Sequence, residues 1–244
     1  MTQTTKELLF GFGKNWQQYV PTVDDYRINR AKDSITSFFE LSDLSGKTFL
    51  DIGSGSGLFS YAAYQLGAER VVSFDVDPNS VAATTTLYEK AGKPERWKVM
   101  TGSALDASFL TSLGSFDIVY SWGVLHHTGS MWDAIRNSAR LVKPGGLFCI
   151  AIYNRVDGRF GSQFWLKVKK RYNQGSIVTR KLIEWSCLFV DFILAPLLRF
   201  KNPARFMREY KQKRGMDPRR DVVDWVGGYP YEFASVDEIF TFLK

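Results

Sequence analysis

Residues 49–67 read FLDIGSGSGLFSYAAYQLG: an apolar strand, a turn carrying Gly53, Gly55 and Gly57, and a segment with helical spacing. Glycines lack a Cβ and accept positive φ, so backbone can pass close to a ligand at such a turn. The helix that follows offers free N–H groups and positive potential at its N-terminus. A glycine-rich turn also serves as a tight strand-to-helix connection with nothing bound. Two carboxylates favour a ligand. Asp51 stands two residues before Gly53, and Asp75 closes the next apolar strand, RVVSFD (70–75), where a ribose diol would lie over the switch point of a parallel sheet.

The spacing G-x-G-x-G differs from the G-x-G-x-x-G of dinucleotide folds. With Asp51 in front it suits a cofactor that has a cationic amino-acid end and no pyrophosphate, which points to S-adenosyl-L-methionine rather than NAD. Working outward, apolar runs of strand length recur at 48–52, 70–75, 97–101, 116–121 and 147–153, separated by helix-like segments. That alternation predicts an α/β fold, a Rossmann-like parallel sheet with helices on both faces. SMWDAIRNSARLV (130–142) is expected as a helix with Trp132, Ile135, Ala139 and Val142 on one stripe, stopped by Pro144-Gly145-Gly146. Residues 16–41 read as one or two helices with Ile28, Ala31, Ile35, Phe38 and Phe39 on the apolar face, part of an N-terminal cap over 1–45. VDEIFTFLK (236–244) is expected as a helix, with Ser235 and Glu238 forming a capping box.

Five segments together resemble the class I S-adenosylmethionine-dependent methyltransferases, in the branch of ubiquinone-biosynthesis and small-molecule O-methyltransferases. They are FLDIGSGSG (49–57), FDVDP (74–78), TGSALD (101–106), FDIVYSWGVLHHTG (116–129) and LVKPGGLFCIAIYN (141–154). The resemblance implies a cofactor-binding core over 46–153. It implies that Gly53, Ser54, Gly55 and Gly57 line the methionine and ribose portion, that Asp51 orients the amino end, and that Asp75 takes the ribose hydroxyls with Val76 beside the adenine. Ser103, Ala104, Ser121 and Trp122 complete the expected cofactor contacts. Ser103 stands where many relatives have Asp, which leaves the adenine amino group to a weaker or a backbone contact. FGFGKNWQQY (10–19) and DWVGGYPYEFAS (224–235) resemble flanking segments of a bacterial subgroup. By that likeness Trp16 and Tyr19 close over the cofactor, and Tyr229, Pro230 and Tyr231 line the acceptor pocket; Tyr153 is a further candidate for the acceptor site. Aromatic packing in a lid and a turn is an equal reading of these side chains. The helix at 236–244 is expected to return to the core, with 229–244 as that segment. In the resembled fold two more strands follow it, so the usual seven-stranded sheet reads as lacking its terminal strands.

His126 and His127 are the only histidines. They follow the fourth strand, on the rim where a transferring methyl should lie, and imidazole suits general-base work near pH 7. One is expected as the base, His127 in preference, and the other packs or caps. The loop reads YSWGV, without the Asp/Asn-Pro-Pro-Tyr of nucleobase amine methylation and without a cysteine for covalent pyrimidine chemistry. An oxygen acceptor is the expectation, with no metal, since no other cluster has ligand spacing.

Length and composition bound the rest. At 244 residues and 45% hydrophobic the chain is long and apolar enough for a packed core. Cys149 and Cys187 show no disulfide or zinc spacing, and with no secretory leader or 18-residue uncharged apolar run a cytoplasmic or membrane-peripheral location is expected. The net charge of +7 is unevenly placed: residues 1–150 carry about −1 and residues 155–220 about +12. Residues 154–228 form a basic, aromatic insertion containing WSCLFVDFILAPLLRF (185–200), too short to span a bilayer. Three readings stay open: a helical cover over the acceptor site, a surface that meets a membrane to reach a lipid-linked acceptor, and, ranked last, a single-stranded nucleic-acid site. Homodimer pairing through this apolar stretch or an open sheet edge is a further expectation. A small-molecule or lipid-linked acceptor methylated by in-line displacement is the leading function. A non-catalytic S-adenosylmethionine-binding protein and an RNA-directed methyltransferase are the alternatives.

Overall fold

The computed structural model describes residues 11–214 and 217–244, and for 211–214 the backbone alone. Residues 1–10 of the expected cap lie outside the described residues, as do residues 215–216 of the insertion. Among the described residues the chain forms two compact units, one made of Gly11–Asn154 with Phe233–Lys244 and one of Arg155–Glu232.

The first unit is a five-stranded sheet in the order β3-β2-β1-β4-β5. Its strands are β1 (Thr48–Ile52), β2 (Arg70–Asp75), β3 (Trp97–Thr101), β4 (Phe116–Trp122) and β5 (Val142–Ala151), and every ladder is parallel. β1 lies between β2 and β4, so the chain reverses its direction of strand addition beside the glycine turn, where open α/β sheets bind ligands at their carboxyl ends. Central strands of such a sheet are covered on both faces, and Phe49, Leu50, Asp51 and Ile52 are all buried. One face packs Phe49, Val71, Trp97 and Ile118 against α2 (Asp25–Phe39), α3 (Leu58–Gln65) and α4 (Pro78–Lys90). The other packs Leu50, Val72, Phe74 and Val119 against α5 (Ala107–Ser112) and α6 (Met131–Ala139), with Ile239 and Phe242 of the final helix (Val236–Leu243) at its margin.

Helix starts follow their caps. Asp24, Asp77 and Asp106 each accept a backbone N–H of the turn they precede, and Pro78 adds its pre-set φ at the first position of α4. The Ser235–Glu238 capping box forms as its spacing dictates. α1 (Gly13–Tyr19) and α2 account for the region expected as one or two helices. Phe38, placed on the apolar face by its spacing, is instead exposed.

The helix expected over 130–142 ends at Ala139; Ile135 is on its buried stripe as expected, but the stripe's other members are Met131, Ala134 and Ser138 rather than Trp132, Ala139 and Val142. The reason lies in β5. Val142 pairs with Phe116, and the register then shifts so that Leu147 faces Ile118. Pro144-Gly145-Gly146 is therefore an irregularity inside the strand, not a helix stop. A β-bulge takes up the extra residues, and Gly145 sits at φ +74°.

The second unit is helical: α7 (Ser162–Gln174), α8 (Ile177–Phe189), a π-turn over Val190–Leu194, α9 (Ala195–Leu198), α10 (Pro203–Arg214) and α11 (Pro218–Gly227). Its own small core is Tyr172, Phe192, Val222 and Val226. Lys169 is fully buried within it, its Nζ donating to the Trp225 carbonyl and lying 3.9 Å from the Trp225 ring centre. The final helix, α12 (Val236–Leu243), belongs to the sheet unit, whereas Tyr229 and Tyr231 belong to the helical one.

Candidate active site at the carboxyl ends of the strands

The glycine turn is tied to β2 rather than left loose: the Gly53 and Ser54 N–H groups donate to the Phe74 carbonyl at 2.8 and 3.1 Å. Gly53, Gly55 and Gly57 all have positive φ and no room for a Cβ, and the last two show what crowds the turn. Gly55 has φ +55°, and a Cβ there would lie 2.9 Å from Nε1 of Trp16. Gly57 has φ +77°, and a Cβ would meet the Thr84 backbone at 2.8 Å. The first contact places the Trp16 indole directly against the turn. Tyr19 follows it in α1, its ring edge-on to Trp16 at 5.9 Å.

Asp75 braces the turn, accepting the Gly55 N–H at 3.1 Å on one oxygen and the Asp77 N–H at 2.9 Å on the other. Burial pushes its pKa up, and these N–H donors pull against that. Asp77 in turn accepts the Gly13 N–H at 2.9 Å, joining α1 to the same loop. Asp51 is buried on the α3 face, with Ser60 Oγ donating to it at 2.5 Å. Ser73 donates to Ser60 at 2.7 Å and the Trp97 indole N–H donates to Ser73 at 2.8 Å. Burial pushes the Asp51 carboxyl up to about 7, opposed by the Ser60 hydrogen bond.

Around these groups, Val76 is exposed beside Asp75, and Trp122 is exposed at the end of β4. Tyr120 stacks on Trp122 at 5.9 Å, and Phe38 meets it edge-on at 5.8 Å. Ser103 accepts the Leu105 N–H at 3.1 Å, while Ala104 is buried and its carbonyl accepts from Asn137. Ser54 shares a hydrogen bond with Thr84. Ser121 differs from its expected role. It is fully enclosed and donates to the Ile52 carbonyl at 3.1 Å, so its hydroxyl ties β4 to β1 instead of facing a surface site.

His126 and His127 occupy a single 3₁₀ turn over Leu125–His127. That turn lets adjacent rings converge, with centres 4.4 Å apart. Tyr153, beyond β5, completes a cluster at 4.0 Å from His126 and 5.5 Å from His127. His126 is buried and His127 half-exposed. Phe12 lies 5.2 Å from His127. The sequence assigns no site role to Phe12 or to the Ser60–Ser73–Trp97 chain, and gives Phe38 only a place on the apolar face of a helix. Only Phe12 sat in a motif-like segment; serines in a strand and a helix carry no such signal. Tyr231 is buried in the helical unit, 4.8 Å from Lys169 Nζ, and Tyr229 is half-buried there. Among the described residues no group of three or more His, Cys, Asp or Glu could hold a metal ion.

The residues around the turn fit an adenosyl amino-acid cofactor. Backbone at Gly55 and Gly57 has no room for a side chain, Asp75 offers acceptors for a diol, Val76 offers an exposed apolar surface, and Asp51 offers a carboxylate.

Residues 50–150 match the family described as methyltransferase domain. The ubiquinone biosynthesis O-methyltransferase of Methylobacterium sp. is 34% identical over 113 residues, covering 46% of this chain and 43% of that protein. The ribosomal protein L11 methyltransferase of Vibrio parahaemolyticus is 42% identical over 62 residues, covering 25% of this chain and 21% of that protein. The chain thus spans less than half the length of these relatives. Among solved structures, an O-methyltransferase family protein from Burkholderia thailandensis aligns with a TM-score of 0.47 at 20% identity, covering 61% of this chain and 46% of that one. Residues 50–150 of this chain are thus similar to a methyltransferase domain, and about half of the chain is similar in sequence to the ubiquinone biosynthesis O-methyltransferases.

Proposed function

We propose that this chain transfers a methyl group from S-adenosyl-L-methionine to an oxygen of a small-molecule or lipid-linked acceptor, with His127 as the base. The observation that carries the reading is the ring cluster of His126, His127 and Tyr153 at the ends of β4 and β5, at the same carboxyl end of the parallel sheet as the glycine turn and Asp75. When bound, the cofactor supplies an electrophilic methyl on a sulfonium. Asp75 and the turn backbone hold the adenosyl portion, and Asp51 in its ionised form balances the amino end. His127, the more exposed imidazole, removes the acceptor hydroxyl proton. His126, buried against Tyr153, fixes the direction of the turn that presents His127. The relatives named as ubiquinone biosynthesis O-methyltransferases support an oxygen as the acceptor atom.

The test has two parts. Calorimetric titration with S-adenosylhomocysteine measures cofactor binding. Release of S-adenosylhomocysteine from S-adenosylmethionine over a panel of free phenols, polyprenylated phenols and glycosides measures turnover. Binding with acceptor-dependent release supports the reading. Binding with no release on any acceptor assigns the chain to a non-catalytic binding protein, and release on RNA alone assigns it to the RNA-directed class.

A further inference from the structure

The helical unit leaves one face unexplained. From Ile177 to Leu198 the chain is helical throughout, through α8, the π-turn and α9, a length of about 33 Å at 1.5 Å per residue. Its inner side is accounted for. Glu184, Phe192 and Pro196 are buried, and Ile183, Cys187 and Leu188 pack against the core of Tyr172, Val222 and Val226. Glu184 is paired with Lys181 at 2.7 Å and accepts from the Tyr172 hydroxyl at 3.0 Å. A helix with one side buried ordinarily turns polar residues outward. Here the outward side is Val178, Leu182, Trp185, Phe189, Leu194 and Leu197, with Leu182 64% and Trp185 63% exposed. Contiguous exposed apolar surface of this kind marks an interaction site rather than ordinary surface.

We propose that this outer face lies on an anionic lipid surface, with the helix in the plane of the interface. Charge selects that occupant. The exposed charges on the helix are Arg180 and Lys181 near its start and Asp191, and the exposed Arg199 and Lys201 follow its end, so cations flank the apolar stripe on both sides. Residues 155–220 carry about +12 in all. Apolar side chains entering the headgroup boundary while flanking Lys and Arg meet anionic lipid is the two-signal pattern of interfacial helices. A second copy would bring the same positive charge to the same face. A single-stranded nucleic acid would match the charge but leave Val178, Leu182, Leu194 and Leu197 in water. Asp191 is the one exposed carboxylate on the helix, and its apolar surroundings push its pKa up, easing approach to such a surface. Crossing is not the alternative: among the described residues no helix is long and apolar enough to span a membrane.

This inference stands apart from the catalytic reading, since neither cofactor nor acceptor enters it. The test is co-sedimentation of the full chain with phosphatidylcholine vesicles, with and without phosphatidylglycerol. The variants are Leu182→Glu with Phe189→Glu, and separately Arg199→Glu with Lys201→Glu. All four positions are exposed, and circular dichroism together with S-adenosylhomocysteine titration checks that each protein is folded. Expected are partition onto phosphatidylglycerol-containing vesicles that weakens as salt is raised, and a loss of about tenfold or more in each double variant. Quenching of Trp185 by brominated lipid, absent in Trp185→Phe, locates the face. Failure to partition onto anionic vesicles at low salt overturns the proposal, as does partition unchanged by Leu182→Glu with Phe189→Glu. Vesicle-free dimerisation abolished by that pair assigns the face to a second copy and also overturns it.

Discussion

Ser60 donates its hydroxyl to the Asp51 carboxylate at 2.5 Å, as the last link of a chain that begins at the Trp97 indole and passes through Ser73. Each buried polar atom in that chain has its partner, so a carboxylate is held inside the sheet without stranding a donor. The arrangement does for Asp51 what no motif states: it sets which way the carboxylate faces and how readily it ionises.

Because burial raises Asp51 to about 7, the ionised form that balances a cationic amine is depleted below neutrality. S-adenosylhomocysteine affinity should fall as pH drops from about 7.5 to 5.5, approaching a tenfold loss per pH unit at the acid end. Ser60→Ala removes a donor to the charged form and moves the break to higher pH. Calorimetric titration across this range checks both, and an affinity flat with pH would show that Asp51 is not the group being titrated. For stability the sign is opposite. A carboxyl whose folded pKa lies above its unfolded value contributes most below pH 4, and that contribution is lost as pH rises toward about 7.

Gly57→Ala must adopt φ +77° and bring its Cβ to within 2.8 Å of the Thr84 backbone. The left-handed conformation alone costs about 1–2 kcal/mol, and backbone offers no rotamer escape from the overlap. Denaturant unfolding should show a loss of at least that size. At Gly55 the clash is with the Trp16 indole, a side chain that can move. Gly55→Ala should therefore lose cofactor affinity more than stability, and pairing it with Trp16→Ala should recover part of the stability but not the affinity.

The two histidines should separate kinetically. His127→Ala should lower the rate of methyl release by about 10²–10⁴-fold, the usual contribution of a general base, with S-adenosylhomocysteine binding retained. His126→Ala removes a buried ring that touches both His127 and Tyr153, so it should cost thermal stability as well as rate. Equal rates for wild type and His127→Ala would remove His127 from the role of base.

Burial of Lys169 should make the stability of the helical unit depend on pH. Burial pushes its ammonium down to about 7, although the Trp225 carbonyl and the Trp225 and Tyr231 rings favour the charged form. Unfolded lysine titrates near 10.4, so between pH 7 and 10 the unfolded chain holds more protons and stability should rise with pH in that window. Tyr172 and Tyr231, both raised by burial, reverse the trend above about 10. Lys169→Met should remove the rise and leave the unit at least as stable at pH 7, measured by thermal unfolding at pH 7, 8 and 9.

Strand positions were legible because a parallel sheet buried on both faces needs unbroken apolar runs: TFLDI, RVVSFD and WKVMT form strands over the residues read. Reading failed at residues 139–146. There Val142 fits a helical stripe and a strand equally well, and Pro-Gly-Gly marks a bulge as readily as a stop. Ser121 failed for a related reason, since the end of a strand points one residue toward the site and its neighbour into the sheet.

By itself the sequence determined the parallel α/β core, the glycine turn with Asp51 and Asp75 at its edges, and the concentration of positive charge in 155–220. These depend on local spacing and composition, which the chain carries in order. Tertiary structure alone decided the Trp97–Ser73–Ser60–Asp51 chain, the convergence of Phe12 and Tyr153 on the histidine pair, and which side of the 177–198 helix is left exposed. Each depends on residues far apart in sequence meeting across a sheet or a helix pair. In the apolar run from 185 to 198 every face of the helix looks alike, and only packing against Tyr172, Val222 and Val226 determines which one is covered.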